Sequence, residues 1–377
     1  MALQMIGAKE LHAKINSGEP IFILDVRNPE EYNDWKIEGK NLESVNVPYF
    51  DFLDEDEKNY KDLPKGTEIV VVCAKGGSAQ MVAEILDEKG YTVSVLEEGM
   101  LEWSQFYHPV TIAMDEHMKL IQLNRFAKGC LSYMVISEGK ALVVDPGRHI
   151  EEYIQVANKE HATITHVMDT HLHADHISGG PELTEKTGAM YYISSSEMKE
   201  AKHNFEPLDK HNHFQVGAVD VKVLAIPTPG HTPGSTSFLV NDRFLLSGDT
   251  IFVGGLGRPD LGGKAREWAQ SLYDTVFTTI ANLSDDVLVL PTHFADIQEI
   301  NANGFIGATL GEIRKSNDIM RTENREEFTE RVVGAVGSST PPNYEEIVDI
   351  NRGVVDVTAE KATELEIGPN RCAVHHN

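Results

Sequence analysis

The sequence predicts two successive domains: an α/β domain with a parallel sheet, then a β-rich domain whose carboxyl-terminal part is mostly helical. The chain has 377 residues, which is too long for one ordinary hydrophobic core. In the first 108 residues, short β-branched apolar runs alternate with helical patterns, as in a parallel sheet covered by helices. From Met118 onward, strand patterns follow one another with turn signals between them.

The predicted strands of the first domain are nearly continuous apolar runs, which suits strands buried on both faces. They cover residues 21–26, 44–48, 69–73 and 93–96. The helical spacing of Ala79, Val82 and Leu86 predicts a helix that ends near Gly90. The amino-terminal segment is predicted to form the domain's first helix, and the domain boundary is expected at residues 107–109.

The second domain begins with a predicted β-meander and then reaches a histidine-rich loop. Its first strands are expected in the apolar segments 118–126, 130–139 and 140–147, followed by a helix over 149–161 and a strand at 165–170. Further strands are predicted near 221–226, 236–240 and 244–246, before a helix near 264–280. Beyond Phe294 the pattern is mostly helical.

Composition limits the partners of the chain. With 33 basic and 59 acidic residues the net charge is −26, which repels nucleic-acid backbones and anionic membranes, so neither partner is expected. Apolar runs stop well short of the ~20 residues that a bilayer span requires. The amino terminus lacks the pattern of a secretory signal, and we expect a cytoplasmic protein.

Histidine and aspartate residues cluster directly after apolar strand patterns. The run 171–176 contains His171, His173, Asp175 and His176, and three further candidates follow other strand patterns, namely His231, Asp249 and His293. Neutral imidazole and carboxylate suit borderline divalent metals, and loops leaving rigid strands can aim them at one point. The sequence therefore predicts a metal site. No role is predicted for His211, His213, His375 or His376, which lie in polar loop or tail sequence.

The chain has three widely separated cysteines, which do not form a disulfide framework. Cys73 lies between a buried strand and a helix, and it is followed by Lys75, Gly76, Gly77 and Ser78. Converging amide hydrogens and the positive end of the helix would stabilise a thiolate or an anionic transferred sulfur there. Cys130 is predicted to be a buried structural residue, and the role of Cys372 stays open.

The order HLHADH, GH, SGD and PTH over residues 116–300 resembles the metallo-β-lactamase superfamily. The resemblance implies an αββα sandwich, two mixed sheets with helices outside. We predict that the domain extends over residues 116–377, with a mostly helical carboxyl-terminal part. The Gly-Arg-Pro-Asp run at residues 257–260, which follows Asp249, resembles the corresponding segment of persulfide dioxygenases. Residues 291–297 lack the Glu-Tyr pair that glyoxalase II enzymes usually show after the last histidine, so a glutathione thioesterase is disfavoured.

Resemblance to persulfide dioxygenases implies that His171, His231 and Asp249 hold one Fe(II) per chain, which leaves positions open for a persulfide and for O2. The remaining motif residues, His173, Asp175, His176 and His293, would orient ligands, move protons or hold a second metal. A dizinc thioester or lactone hydrolase is the alternative. Arg258 is expected to hold the substrate's anionic end, with a surface salt bridge to Asp260 or Glu267 as the competing interpretation.

The Cys73 turn, with the segments 24–35 and 96–103, resembles a single-domain rhodanese over residues 5–107. This implies that residues 1–108 transfer sulfane sulfur between persulfide, sulfite and thiosulfate through a Cys73 persulfide, with Lys75, Gly76, Gly77 and Ser78 around the sulfur. The expected partners are O2 and a thiol persulfide of the glutathione, coenzyme A or bacillithiol type, and a homo-oligomer is possible. A non-enzymatic sulfur carrier or sensor is the remaining alternative.

Overall fold

A computed structural model of the protein describes residues 3–53, 57–224, 232, 234–260, 263–335 and 343–370. The chain forms two compact units. The first comprises Met1–His108, Arg125–Lys128 and Ile367–Pro369, and the second comprises Pro109–Asn124, Gly129–Glu366 and Asn370–Asn377. Within the described part of the chain, no helix is long and apolar enough to cross a membrane.

The described strands of the first unit form a five-stranded parallel sheet in the order β1-β5-β4-β2-β3. The strands are β1 Gln4–Ile6, β2 Ile21–Asp25, β3 Glu43–Asn46, β4 Glu68–Val72 and β5 Val93–Leu96. The four apolar runs identified in the sequence correspond to strands β2 to β5. Strands β2, β4 and β5 are largely buried, whereas the edge strand β3 is half-buried to exposed. Strand β1 was not predicted, since three residues carry too little pattern.

Helices α1 Ala8–Ser17, α2 Pro29–Asp34 and α3 Gly77–Glu88 lie between these strands in the chain, and α4 Gly99–Gln105 follows β5. Hydrophobic clusters lie on the two faces of the sheet: Val82 and Leu86 of α3 pack in one, and Leu11 of α1 with Trp103 of α4 packs in the other. The predicted α/β class of the first domain is confirmed.

The second unit contains two sheets. In the part of the unit that is described, one sheet has seven strands in the order β12-β11-β10-β9-β8-β7-β6. Its strands are β6 His108–Met114, β7 Lys119–Arg125, β8 Cys130–Ser137, β9 Lys140–Val144, β10 Thr163–Met168, β11 Met190–Ile193 and β12 Glu206–Pro207. The predicted meander corresponds to β7, β8 and β9, which are neighbours in this sheet.

The other sheet has six described strands in the order β13-β14-β15-β16-β17-β18. They are β13 His213–Val216, β14 Val219–Val223, β15 Phe238–Val240, β16 Phe244–Gly248, β17 Leu288–Pro291 and β18 Ala308–Thr309. Strands β16 and β17 are parallel, whereas β13 to β16 pair antiparallel in sequence. Both sheets of the unit therefore combine parallel and antiparallel pairs.

Helices α5 Ile150–Lys159, α6 Gly180–Thr187, α7 Ala265–Asp274, α8 Leu310–Ser316, α9 Arg325–Ala335, α10 Tyr344–Asn351 and α11 Ala359–Glu366 complete the second unit. Leu272 of α7 and Phe328 of α9 pack in one cluster with Leu245 of β16 and Val289 of β17, so these helices cover the second sheet. The predicted metallo-β-lactamase fold is confirmed. The described residues after β18 form mainly helices, α8 to α11.

One glycine in the first unit fixes how α4 meets the end of β4. Gly99 has φ +57°, and a β-carbon there would lie inside the van der Waals distance of the Cys73 carbonyl oxygen. That carbonyl accepts a hydrogen bond from the Met100 amide (2.8 Å), and the Ala74 carbonyl accepts one from Leu101 (3.1 Å). The start of α4 therefore holds the backbone of the Cys73 turn in place through these two hydrogen bonds.

We expect Gly99→Ala to destabilise the protein more than Gly66→Ala. Gly66 also has a positive φ (+96°), but its surroundings are open, so its substitution carries only a backbone cost of about 1–2 kcal/mol. Gly99→Ala adds a backbone clash, which we expect to cost roughly a further 1–3 kcal/mol. Urea midpoints of the full-length variants measure this difference. Equal midpoints would contradict the close approach.

Candidate metal centre

The carboxyl ends of strands from both sheets of the second unit carry the predicted metal ligands. Strand β10 leads into the loop 171–176, β16 ends immediately before Asp249, and β17 ends shortly before His293. Parallel neighbours end at the same edge of a sheet, so β16 and β17 bring Asp249 and His293 side by side. All of these motif side chains are buried.

Asp249 links two histidines. Its Oδ2 lies 3.7 Å from Nε2 of His171, and its Oδ1 lies 2.7 Å from Nδ1 of His293. The structure thus brings together two members of the predicted iron triad, His171 and Asp249. The third predicted member, His231, lies outside the described residues.

Glu197 connects the loop after His231 to the loop of His171. Its Oε1 accepts hydrogen bonds from the Thr232 hydroxyl (2.7 Å) and the Gly234 amide, and its carboxylate also bonds the Leu172 amide. Burial raises the pKa of Glu197, because these neutral donors compensate only part of the lost hydration. One buried carboxyl group therefore anchors both loops.

His173 lies between the rings of His171 and His176, with centroid separations of 4.3 and 4.2 Å. Its Nε2 is 3.2 Å from Oδ1 of Asp145, which also accepts from the Thr170 amide at 2.7 Å. If Nε2 carries the proton donated to Asp145, Nδ1 presents its lone pair. That Nδ1 is buried and has no hydrogen-bond partner among the described residues, as expected of a ligand atom facing a metal position.

A second group of donors adjoins Asp249. Nε2 of His293 lies 3.0 Å from Oδ2 of Asp175, whose Oδ1 lies 3.0 Å from Nδ1 of His176. Cys130 joins them, with Sγ 3.4 Å from Oδ2 of Asp175 and 3.8 Å from Nδ1 of His176. Cys130 is buried as predicted, but its neighbours are candidate metal ligands and not merely apolar side chains.

The donor set fits a divalent metal. Burial disfavours a charged His176, but the neighbouring Asp175 carboxylate raises its pKa to about 10. Burial likewise opposes charge on His293, whereas Asp175 and Asp249 raise its pKa well above the usual value. Without a cation, protonated imidazoles thus balance the carboxylates. A divalent ion replaces those protons, since imidazole ligates in its neutral form.

Cys73 lies in the turn between β4 and α3 of the first unit. Its Sγ accepts a hydrogen bond from the Gly76 amide (3.1 Å), and Gly76 has φ +91°, a conformation that favours glycine. Lys75 is exposed, Gly77 is the first residue of α3, and Ser78 is half-buried. The described geometry therefore places a backbone donor and the start of a helix beside the thiol.

Comparison with known proteins assigns each of the two units to a known family. Residues 7–106 match the family described as Rhodanese-like domain, and residues 125–293 match the Metallo-beta-lactamase superfamily. The human protein named Persulfide dioxygenase ETHE1, mitochondrial, is 30% identical over 190 residues, or 50% of this chain and 68% of its own length. The chain belongs to the metallo-β-lactamase superfamily. It combines that domain with an amino-terminal rhodanese-like domain.

Two further relatives represent different members of the superfamily. The crystal structure of ETHE1 from Myxococcus xanthus superposes with a TM-score of 0.53 at 29% identity, covering 62% of this chain and 97% of that one. A protein of Arabidopsis thaliana named Hydroxyacylglutathione hydrolase cytoplasmic is 32% identical over 169 residues, or 43% of this chain. The matched region spans 62% of the Arabidopsis protein, less than two thirds of its length.

Arg258 follows Asp249 in the segment that looks like persulfide dioxygenases. Its guanidinium makes paired bonds to Asp260, from Nε and Nη2 at 2.8 Å each. The Asp260 partner of the competing interpretation is therefore present, but the arginine is 3% exposed and the pair is not a surface salt bridge. Asp260 therefore fixes the plane of the buried Arg258 guanidinium.

The carboxyl-terminal helices hold the histidine loop from outside the motif. Asn351, which ends α10, donates through Nδ2 to the carbonyls of His173 (2.9 Å) and His176 (3.0 Å), and its Oδ1 accepts from the Ser178 amide (2.9 Å). Glu366, which ends α11, accepts from the Ile177 amide at 2.7 Å. Both side chains are buried. Sequence reasoning missed Asn351, Glu366 and Glu197, because no local pattern marks contacts over such sequence separations.

We expect Asn351→Ala to weaken metal binding without unfolding the protein. The substitution removes two donors that fix the carbonyls of His173 and His176, and loss of an outer partner of a metal ligand typically costs about 10–100-fold in affinity. Competition with a chelator measures the dissociation constant. Glu346→Ala, at an exposed position of the same helix, is the matched control. Equal affinities in both variants would contradict a positioning role.

Proposed function

We propose that the chain oxidises a low-molecular-weight thiol persulfide with O2, at one ferrous iron held by His171, His231 and Asp249. The observation that carries the proposal is the meeting of His171 and Asp249, whose nearest ligand atoms are 3.7 Å apart at buried strand ends. Two histidines and one carboxylate are the ligand set of non-heme Fe(II) oxygenases. Similarity to human and Myxococcus ETHE1 supports the same assignment.

The proposed reaction balances as RSSH + O2 + H2O → RSH + SO3²⁻ + 2 H⁺. The outer sulfur of the persulfide is oxidised, O2 is reduced, and the S–S bond breaks to release the thiol. Iron supplies the one-electron chemistry and open coordination positions that a redox-inert zinc ion cannot provide. Glutathione, coenzyme A and bacillithiol persulfides are the candidate substrates.

The protein's own residues hold and orient the proposed iron ligands. His293 bonds Asp249 through Nδ1 and so fixes the carboxylate's direction, while Thr170 bonds Nδ1 of His171 (2.9 Å). The buried walls exclude bulk water from the ligands. Arg258, held in plane by Asp260, is proposed to bind the substrate's anionic end through its guanidinium.

The first unit is proposed to transfer sulfane sulfur. The Cys73 thiolate would attack a persulfide, RSS⁻ + Cys73–S⁻ → RS⁻ + Cys73–SS⁻, and sulfite would then accept the outer sulfur as thiosulfate, with return of the Cys73 thiolate. The Gly76 amide donates to the sulfur position, and Lys75 at the exposed end of the turn attracts the anionic partners. Gly77 and Ser78 begin the helix behind the sulfur.

A dizinc thioester or lactone hydrolase is the second candidate. Two observations favour it: Asp175, His176 and His293 lie close enough to form a second metal position, and the chain is 32% identical to an Arabidopsis hydroxyacylglutathione hydrolase over the matched region. Metal-bound hydroxide would be the nucleophile in such an enzyme. The rhodanese-like domain would then only deliver sulfur.

Removing a ligand of the iron triad is expected to abolish oxygen uptake by removing iron. In His171→Ala and Asp249→Ala we expect iron content to fall at least about tenfold, since loss of a direct ligand costs no less than loss of an outer partner. Iron analysis and an oxygen electrode give the two readouts. His213→Ala, at an exposed strand position, should keep both. Full iron content and oxygen uptake in either ligand variant would refute the assignment.

Cys73→Ser is expected to separate the two activities. A serine hydroxyl is not ionised near neutral pH and cannot form a persulfide, so thiosulfate formation should be lost. Oxygen uptake with a supplied persulfide should persist, and sulfite should accumulate in place of thiosulfate. Simultaneous measurement of oxygen, sulfite and thiosulfate tests this. Unchanged thiosulfate formation would show that Cys73 is not the nucleophile.

A further inference from the structure

The residue before α4 has a backbone conformation that a glutamate does not favour. Glu98 lies in the left-handed region, with φ +34° and ψ +8°, where a β-carbon crowds the following carbonyl oxygen. Its side chain is exposed and forms no capping hydrogen bond with α4. Strained backbone of this kind is retained mainly at functional sites. Capping of the helix therefore does not account for a glutamate at this position.

Glu98 lies against the turn that holds the Cys73 sulfur. A β-carbon on Gly76 would be 3.5 Å from the Glu98 amide nitrogen and 3.7 Å from its α-carbon. The Gly76 amide in turn donates to Sγ of Cys73 at 3.1 Å. The Glu97 amide donates to a carbonyl of β1 (3.0 Å), and the Met100 amide donates to that of Cys73 (2.8 Å). The Glu98 carboxylate is therefore tethered beside the Cys73 turn.

Acidic groups outnumber free basic groups around this turn. Lys75 is an exposed cation within the turn, whereas Glu97 and Glu98 are exposed carboxylates beside it. Arg27 follows β2 at the same edge of the parallel sheet, but it is buried and its guanidinium bonds both carboxylate oxygens of Asp25. Among these described groups, two exposed carboxylates thus stand against one free ammonium group.

A fixed carboxylate distinguishes sulfur donors by their charge. Transfer to Cys73 breaks the bond between the two donor sulfurs and forms a bond to Sγ, and the electron pair leaves with a thiolate, or with sulfite when thiosulfate is the donor. Near neutral pH thiosulfate carries two negative charges, 2-hydroxyethyl persulfide carries one, and 2-aminoethyl persulfide carries none overall. A unit charge roughly 8–10 Å from a reacting anion changes its approach about two- to threefold per unit of donor charge at low ionic strength.

We propose that Glu98 makes the Cys73 turn selective for persulfides of low negative charge over polyanionic donors such as thiosulfate. This selectivity rests on the proposed sulfur transfer through Cys73, for which it names the class of donor. Lys75 attracts anions to the turn, and Glu98 limits that attraction to donors that carry one charge or none. Coenzyme A persulfide is disfavoured as a donor to this unit, because its phosphate groups add negative charge.

Sulfur loading of Cys73 in the full-length protein measures this selectivity. The reduced protein is mixed with thiosulfate, 2-hydroxyethyl persulfide or 2-aminoethyl persulfide, quenched with an alkylating agent at set times, and the Cys73 peptide is analysed by mass spectrometry. In Glu98→Gln, which keeps the size of the side chain, we expect the loading rate constant to rise about four- to ninefold for thiosulfate and about two- to threefold for 2-hydroxyethyl persulfide, with no change for 2-aminoethyl persulfide. These gains should disappear in about 1 M salt, where the Debye length is about 3 Å.

Glu88→Gln is the matched control, because it removes the same charge from the same unit. Glu88 is exposed and ends α3, whose first residue is Gly77, so about 16 Å of helix separates it from the Cys73 turn. We expect this variant to keep the wild-type ranking of the three donors.

A structural role of Glu98 at the start of α4 would change the three rate constants by one common factor. That result in Glu98→Gln, or three unchanged rate constants, or gains that persist in about 1 M salt, would overturn the selectivity while sulfur loading of Cys73 itself stands. Absence of loading from every donor in the wild-type protein would instead overturn the proposed sulfur transfer, and the selectivity with it.

Discussion

Buried carboxylates at the strand ends need partners, and this need shapes the second unit. An ion removed from water costs several kcal/mol unless charges or hydrogen bonds compensate it. Asp145, Asp175 and Asp249 each lie within 3.2 Å of a histidine ring nitrogen. Asp145 also accepts hydrogen bonds from the amide and the hydroxyl of Thr170. The strand ends must therefore stay in register, because displacement of one loop would leave a buried charge without its partner.

Much of the site was predictable because its members directly follow apolar strands. The loop 171–176, Asp249 and His293 are local features of the sequence, and parallel pairing of β16 with β17 brings two of them together. Cys130 was predicted only as buried structure, since a cysteine at the start of an apolar strand has no local signature of nearby carboxylate and imidazole groups. Its proximity to Asp175 arises from packing across the fold.

The residues that bond the candidate metal loops from outside the motif could not be predicted from the sequence at all. Glu197 bonds the Leu172 amide and the hydroxyl of Thr232, and Asn351 bonds two carbonyls of the histidine loop from the end of α10. These polar side chains resemble ordinary surface residues in the sequence. Only the tertiary structure shows that they are buried and that they bond the loops that carry the candidate metal ligands.

Reconstitution of the metal-free protein with either Fe(II) or Zn(II) tests the central claim most directly. Each form is assayed for oxygen uptake with a thiol persulfide and for hydrolysis of a hydroxyacyl-glutathione thioester. We expect oxygen uptake in the iron form and none in the zinc form. In the Cys73→Ser background, which blocks sulfur transfer to sulfite, one sulfite should form per O2 consumed. Thioester hydrolysis by the zinc form, with no persulfide-dependent oxygen uptake by the iron form, would contradict the proposed dioxygenase activity.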